Sequence, residues 1–242
     1  MYTRAKQLII ILSFLSSDAY AQKAKVSGDI VGLDESTLEV NYAIGNSFKI
    51  DEIAVKNGKF TWEADMPYPQ KVYIMIPQQH RNIEFYAESG NIKLIGNADS
   101  LDKVKIIGSK TQDEWDDFKK SLKDIIYGLE TPLYNRNNKG TKEQNIAMEK
   151  KLDELRMEIR KKVDLYYITA HPKSAISVSL VSESSFGGYN NLKTLYNLLD
   201  TSAQQTIVGK QIANRLIVLK HGNLGERMLD FTQNNTEGNP VR

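Results

Sequence analysis

Between residues 24 and 109 apolar and polar positions repeatedly trade places every second residue, the period that turns one face of a β-strand inward and leaves the other wet. Leu38, Val40, Tyr42 and Ile44 alternate with more polar neighbours in STLEVNYAI, predicting a half-buried strand. In FKIDEIAVKNGKFTWEA two alternating runs flank Asn57-Gly58. That dipeptide best accepts the positive φ values of a type I′ turn, so the stretch predicts a hairpin with Phe60 and Trp62 on one face of its returning strand. Pro67, Pro69 and Pro77 bracket the next run, QKVYIMIP, as breakers. NIEFYAESGNIKLIGN reads as a second hairpin, turning at Ser89-Gly90, and DKVKIIGS closes the series. Short strands with turns about every ten residues predict an antiparallel sandwich or barrel over 22–110.

At Thr111 the period becomes helical. Thr111-x-x-Glu114 has the form of a capping box, and Trp115, Phe118, Leu122, Ile125 and Leu129 recur on one helical face. TPLYNRNNKG, with Pro132, Gly140 and an Asn run, predicts a break. A second box, Thr141-x-x-Gln144, opens a longer helix with a stripe of Met148, Leu152, Leu155, Ile159 and Tyr166. That helix ends at His171-Pro172, because the residue before proline is pushed out of helical space. SAISVSLVSESS and NNLKTLYNLLD predict short helices on either side of Gly187-Gly188. Thr201-x-x-Gln204 predicts a third box, with Ile207, Ile212, Leu216 and Leu219 packing the last helix up to Gly222. The fold class expected is therefore α+β, a β-sandwich or barrel over 22–110 followed by an all-helical module over 111–225.

The two ends differ in kind. Arg4 and Lys6 precede an apolar run from Leu8 to Leu15, and Ala19-Tyr20-Ala21 follows, which reads as a signal peptide over 1–21 with export to the periplasm or cell envelope. The run is too short for the roughly 20 residues a bilayer requires, so no integral membrane segment is expected after cleavage. At the other end, Leu229, Phe231 and Val241 surround a turn at Gly238, predicting a strand, a turn and the start of a second strand over 226–242.

Composition narrows the chemistry. A formal charge of +2 and no basic cluster interleaved with aromatics argue against nucleic acid. The chain has no cysteine, so disulfides, thiol catalysis and lipobox attachment are all excluded within it. His80, His171 and His221 lie too far apart in sequence for helical metal-ligand spacing. His80-Arg81 suits a solvated loop tip better than an anion site, and His171 suits a helix C-terminus. Ser177, Ser179, Ser182, Ser184 and Ser185 lack the Gly-x-Ser-x-Gly elbow of serine hydrolases. Asp113/Glu114 and Asp116/Asp117 fit a first helical turn facing the dipole. Gly187-Gly188 lacks the Lys and Ser/Thr of a phosphate loop. Tyr166, Tyr167, Phe186 and Tyr189 suit a seam between helices more than a ligand groove. No catalytic, metal or cofactor-binding residue is assigned, and no cofactor is expected.

The order of these features resembles a known arrangement. VSGDIVG, IDEIAVKNGKFTWEA, FYAESGNIKLIG and VKIIGS are similar to a domain of unknown function found at the N-terminus of exported bacterial proteins that end in a thioredoxin-like thiol–disulfide oxidoreductase domain of the AhpC/TSA or TlpA/ResA kind. HPKSAIS and TSAQQTIVGKQI resemble the helical spacer of such proteins, and MLDFTQNNTEGNPV resembles the entry hairpin of their redox domain. The resemblance implies that a Trp-Cys-x-x-Cys site follows some tens of residues later, whereas this sequence reaches Arg242 first. The expectation is a non-catalytic accessory portion, with a truncated entry hairpin at 226–242, that positions its missing redox domain or binds a protein partner. A free-standing envelope binding module is the alternative, and an independent hydrolase is the least supported reading.

Overall fold

The structure, a computed structural model, describes residues 22–33, 37–137, 141–184, 188–222, 233–237 and 239–241. The apolar N-terminal segment lies outside them. Eight strands come first: β1 Lys23–Val31, β2 Thr37–Ile44, β3 Ser47–Ala54, β4 Lys59–Asp65, β5 Gln70–Ile76, β6 Arg81–Ala87, β7 Gly90–Asn97 and β8 Lys105–Ile107. They form two four-stranded sheets, ordered β4-β1-β7-β8 and β3-β2-β5-β6. Alternation explains the layering: Leu38, Val40 and Tyr42 of β2, Phe60 and Trp62 of β4, and Val72, Ile74 and Ile76 of β5 all bury their side chains in one core. Ile44, the last residue of that β2 stripe, is exposed.

Two predicted hairpins are not hairpins. Asn57 and Gly58 do adopt positive φ, 52° and 72°, and Lys56 and Lys59 exchange backbone hydrogen bonds of 3.0 Å across the turn. Yet β3 pairs with β2 in one sheet, while β4 pairs with β1 in the other. The turn itself docks on β1. Ile30 N–H donates to the Gly58 carbonyl (2.8 Å), and Gly58 N–H donates to the Leu33 carbonyl (3.1 Å). Local turn chemistry specifies reversal of the chain, and these long-range bonds decide which edge the returning strand meets. The Ser89-Gly90 turn likewise sends β6 and β7 into different sheets, and β7 runs parallel to β1, so the sandwich is mixed and not purely antiparallel.

Six helices follow: α1 Lys110–Asn137, α2 Lys142–Ala170, α3 Ala175–Glu183, α4 Gly188–Tyr196, α5 Thr201–Gln204 and α6 Ile207–His221. The Thr141/Gln144 box forms reciprocally at the start of α2. The other two predicted boxes do not. Ser109 Oγ accepts from Gln112 N–H at the start of α1 (3.1 Å), whereas Thr111 lies inside the helix and donates to Glu88 (2.8 Å). Asp200 caps the single turn of α5, and Thr206 caps α6, where the chain restarts as a separate helix. In each case a capping side chain one to five residues away, better placed by the preceding loop, supplies the acceptor. α1 also runs through Pro132 to Asn137. Proline lacks the donor that would bond the carbonyl of Gly128, so the helix passes this point one hydrogen bond short.

Near the C-terminus β9 Gln233–Asn234 and β10 Pro240–Val241 pair antiparallel with each other. Asn235 Oδ1 closes the turn by accepting from Glu237 N–H (3.0 Å) and Asn239 N–H (2.9 Å). Strand, turn and strand are therefore present, a few residues later than the apolar pattern suggested. The expected strand positions Leu229 and Phe231 lie outside the described residues.

Candidate functional site

The outer faces of β5 and β6 are where sheet meets helices. Tyr86 points away from the sandwich and begins a run of ring contacts: edge-on to Trp115 (5.7 Å between centroids), Trp115 stacked on Phe118 (5.4 Å), Phe118 edge-on to Tyr167 (4.8 Å), and Tyr167 against His171 (4.6 Å). Each such pair contributes roughly 0.5–1.5 kcal/mol beyond its burial. Gln112, at the third position of α1, locks the joint from the backbone side. Its Oε1 accepts from Tyr86 N–H (2.9 Å), and its amide donates to Asp116 (3.0 Å).

Lys71 of β5 sits over this seam. Only 9% of its side chain is exposed, and its ammonium lies 4.6 Å from the Trp115 ring centre and 5.7 Å from that of Tyr86. It pairs with Glu84 of β6 (3.1 Å) and Glu183 at the end of α3 (2.5 Å). Burial alone would lower the Lys71 pKa, but the hydrogen bond to Glu183 and the charges of Glu183 and Glu84 outweigh it and raise it. Glu183 also lies 3.9 Å from Arg160, which grips Asp164 through both carboxylate oxygens (2.9 and 3.0 Å). One charge network thus links β5, β6, α2 and α3. No sequence signal singles out Lys71 as a pair partner, but its place among Tyr73 and Met75 is informative. The nominally wet face of QKVYIMIP is itself half apolar, the mark of a strand covered on both sides.

Glu114 sits at the other end of the seam. Its carboxylate accepts from the hydroxyls of Tyr167 and of Ser174, which caps α3. Burial, then the bond to the Glu114 carboxylate, raises the Tyr167 pKa well above the usual phenol range. On the solvent side of this end a groove of about 750 Å³ opens between α1 and α2, walled by Phe118, Ile125, Val163, Tyr166, Tyr167 and His171. Glu114, Asp117, Ser121 and Lys162 complete its lining. The Tyr166-Tyr167 pair is therefore divided. Tyr167 packs in the seam, and Tyr166, expected on the apolar stripe, stands 75% exposed on the groove wall. Ile125 is also exposed, because the contact stripe of α1 drifts from Leu122 to Ile126.

The remaining candidates do not converge. His80 is exposed at a loop with φ 49°, Arg81 donates to the Ala98 carbonyl (2.7 Å), and His221 is the last residue of α6. Ser177 donates to the His171 carbonyl (2.7 Å), and Ser184 donates to the Leu180 carbonyl (2.8 Å), so both hydroxyls close helix ends. Asp116 pairs with Lys119 (2.9 Å), and Tyr189 lies under Lys193 (5.5 Å). Ser185, Phe186 and Gly187 lie outside the described residues. Among the described residues no group of His, Cys, Asp and Glu side chains could hold a metal ion, and no helix is long and apolar enough to cross a membrane.

Residues 24–115 match the family described as a domain of unknown function, DUF4369. The match covers the two sheets and reaches into the first turns of α1, ending at Trp115, the residue on which Lys71 rests. No curated protein and no solved structure matches the chain.

Proposed function

We propose that this chain is the non-catalytic accessory portion of an exported thiol–disulfide oxidoreductase-like protein, positioning a redox domain or holding a protein partner. The observation that carries the reading is the seam. Rings from Tyr86 to His171 and the Lys71 network tie the sandwich to the helices as a platform, and leave an apolar groove on its outer side. A platform with an open groove suits holding and orienting another body. The match over 24–115 is to a domain of unknown function, and the accessory role and the redox context rest on the resemblance of the sequence order to proteins that end in a thioredoxin-like domain. The 242 residues contain no thiol for disulfide exchange, so the contribution of this chain to such a reaction is positional. Export rests on the charged, apolar and Ala-x-Ala pattern of the first 21 residues.

Two measurements test this. The coding sequence beyond codon 242 is expected to carry an in-frame Cys-x-x-Cys within about a hundred codons. The purified chain is expected to reduce insulin no faster than the dithiothreitol blank. Turnover by the chain alone overturns the accessory reading. A downstream sequence without that motif removes the redox context and favours the second reading, a free-standing envelope binding module. The groove between α1 and α2 is the specific observation that supports this alternative, since its described lining comes from residues 114–125 and 162–171 of this chain.

A further inference from the structure

We infer that the groove between α1 and α2 receives the apolar face of an amphipathic helix from a partner protein, flanked on that helix by Lys or Arg. This deepens the binding role proposed above and rests on it. Three observations select the occupant. The walls of the groove are two α-helices whose backbone groups are bonded internally, so an extended peptide finds no strand edge to pair with and would leave its own amides unsatisfied. A helix satisfies its own backbone and offers side chains alone. The α1 wall from Glu114 to Ile125 is eleven helical steps long, about 16 Å, which is the length of three helical turns. The rim is acidic and unbalanced. Neither Glu114 nor Asp117 has a cation partner among the described residues, while Lys162, the cation on the rim, is already paired with Glu158 (2.8 Å). An incoming Lys or Arg therefore gains an ion pair, and an incoming carboxylate or anionic headgroup meets repulsion.

The test uses the purified chain and three labelled 14-residue helical peptides with one shared Leu face and flanks of Lys, Gln or Glu, read by fluorescence anisotropy. Affinity is expected to fall in the order Lys, Gln, Glu, with about tenfold between the extremes, equivalent to about 1.4 kcal/mol. Asp117→Lys is expected to invert the order. Tyr166→Ala is expected to weaken all three peptides, as loss of an exposed aromatic wall does. Both side chains are on the surface, and an unchanged thermal midpoint verifies that each variant is folded. Equal affinity for the three peptides, no binding, or binding indifferent to both variants overturns the inference. So does sedimentation showing a dimer that Tyr166→Ala dissociates, which makes the occupant a second copy. Tyr166-dependent capture on phosphatidylglycerol or phosphatidylcholine vesicles without peptide binding makes it a lipid surface, and also overturns the inference. A downstream frame carrying Cys-x-x-Cys upholds the accessory reading even where these peptides fail, so the two failures are distinguishable.

Discussion

Replacing Lys71 with methionine removes a charge while keeping most of the stem that lies over Trp115. In the native protein the Lys71 side chain is 9% exposed, whereas the Glu84 and Glu183 side chains are 36% and 44% exposed. The two carboxylates can therefore rehydrate when their cation is lost, which keeps the cost below the roughly 3–5 kcal/mol of breaking a fully buried pair. The cation–π contact with Trp115 accounts for about 1 kcal/mol, and two half-exposed ion pairs for about 0.5–1 kcal/mol each. Methionine recovers part of this by sparing the desolvation of an ammonium. A net loss of about 2 kcal/mol follows, or a downward shift of about 1 M in the urea midpoint for a slope near 2 kcal/mol/M. The assay is urea unfolding followed by tryptophan emission, repeated with Trp62→Phe so that Trp115 reports alone. A double-mutant cycle with Glu183→Gln is expected to show coupling of about 1 kcal/mol. A change below about 0.5 kcal/mol, or full additivity in the cycle, refutes the claim that this charge network holds sheet and helices together.

Asp51 accepts from Tyr42 and Trp62 (3.0 Å each) and pairs with Lys49 (2.8 Å). Burial works against its ionisation, but those partners outweigh it and hold the carboxyl below its ordinary value of 3.8. Because the folded pKa is depressed, this contribution is present above pH 3.8 and is lost as pH falls through the lower folded value. Asp51→Asn is expected to cost about 1–2 kcal/mol at neutral pH and to flatten the melting temperature between pH 5 and about pH 2. Gly58 has φ +72°, and an added Cβ would lie 2.4 Å from the Ile30 carbonyl oxygen, so Gly58→Ala is expected to destabilise by more than about 1 kcal/mol in urea titration. The Tyr86 hydroxyl is buried beside Ser179 without a hydrogen bond of ordinary geometry. Tyr86→Phe is therefore expected to be neutral or to stabilise by up to about 1 kcal/mol, and a clear loss in the same titration would reveal a bond that the geometry does not show.

Period and turn chemistry made the outline of the molecule legible. The alternation of Leu38, Val40 and Tyr42, the positive φ at Asn57-Gly58 and the Thr141/Gln144 box all have their expected local form. What local pattern could not carry was pairing. β3 and β4 part into different sheets because bonds from Ile30 and Leu33 capture the turn, and nothing in residues 48–64 records that partner. Caps were misplaced for a similar reason. Thr111-x-x-Glu114 has the letters of a box, but Thr111 serves Glu88, and Glu114 serves Tyr167 and Ser174, contacts between groups distant in sequence. The groove was only half visible. Tyr166 and Tyr167 drew attention as neighbours, yet the 100° between successive helical residues is what sends one into the seam and the other to the wall. Lys71 carried no signal as a partner of Glu183, since their ion pair spans 112 positions of sequence.

Amide hydrogen exchange across the whole chain, with and without the Lys-flanked helical peptide, tests most directly where this platform is engaged. Slowed exchange is expected only in the segments that bear the groove, 114–125 and 162–171. Slowing centred instead on β3, an exposed sheet edge carrying Phe48 and Ile50 at 68% and 57% exposure, or no slowing anywhere, would contradict this expectation.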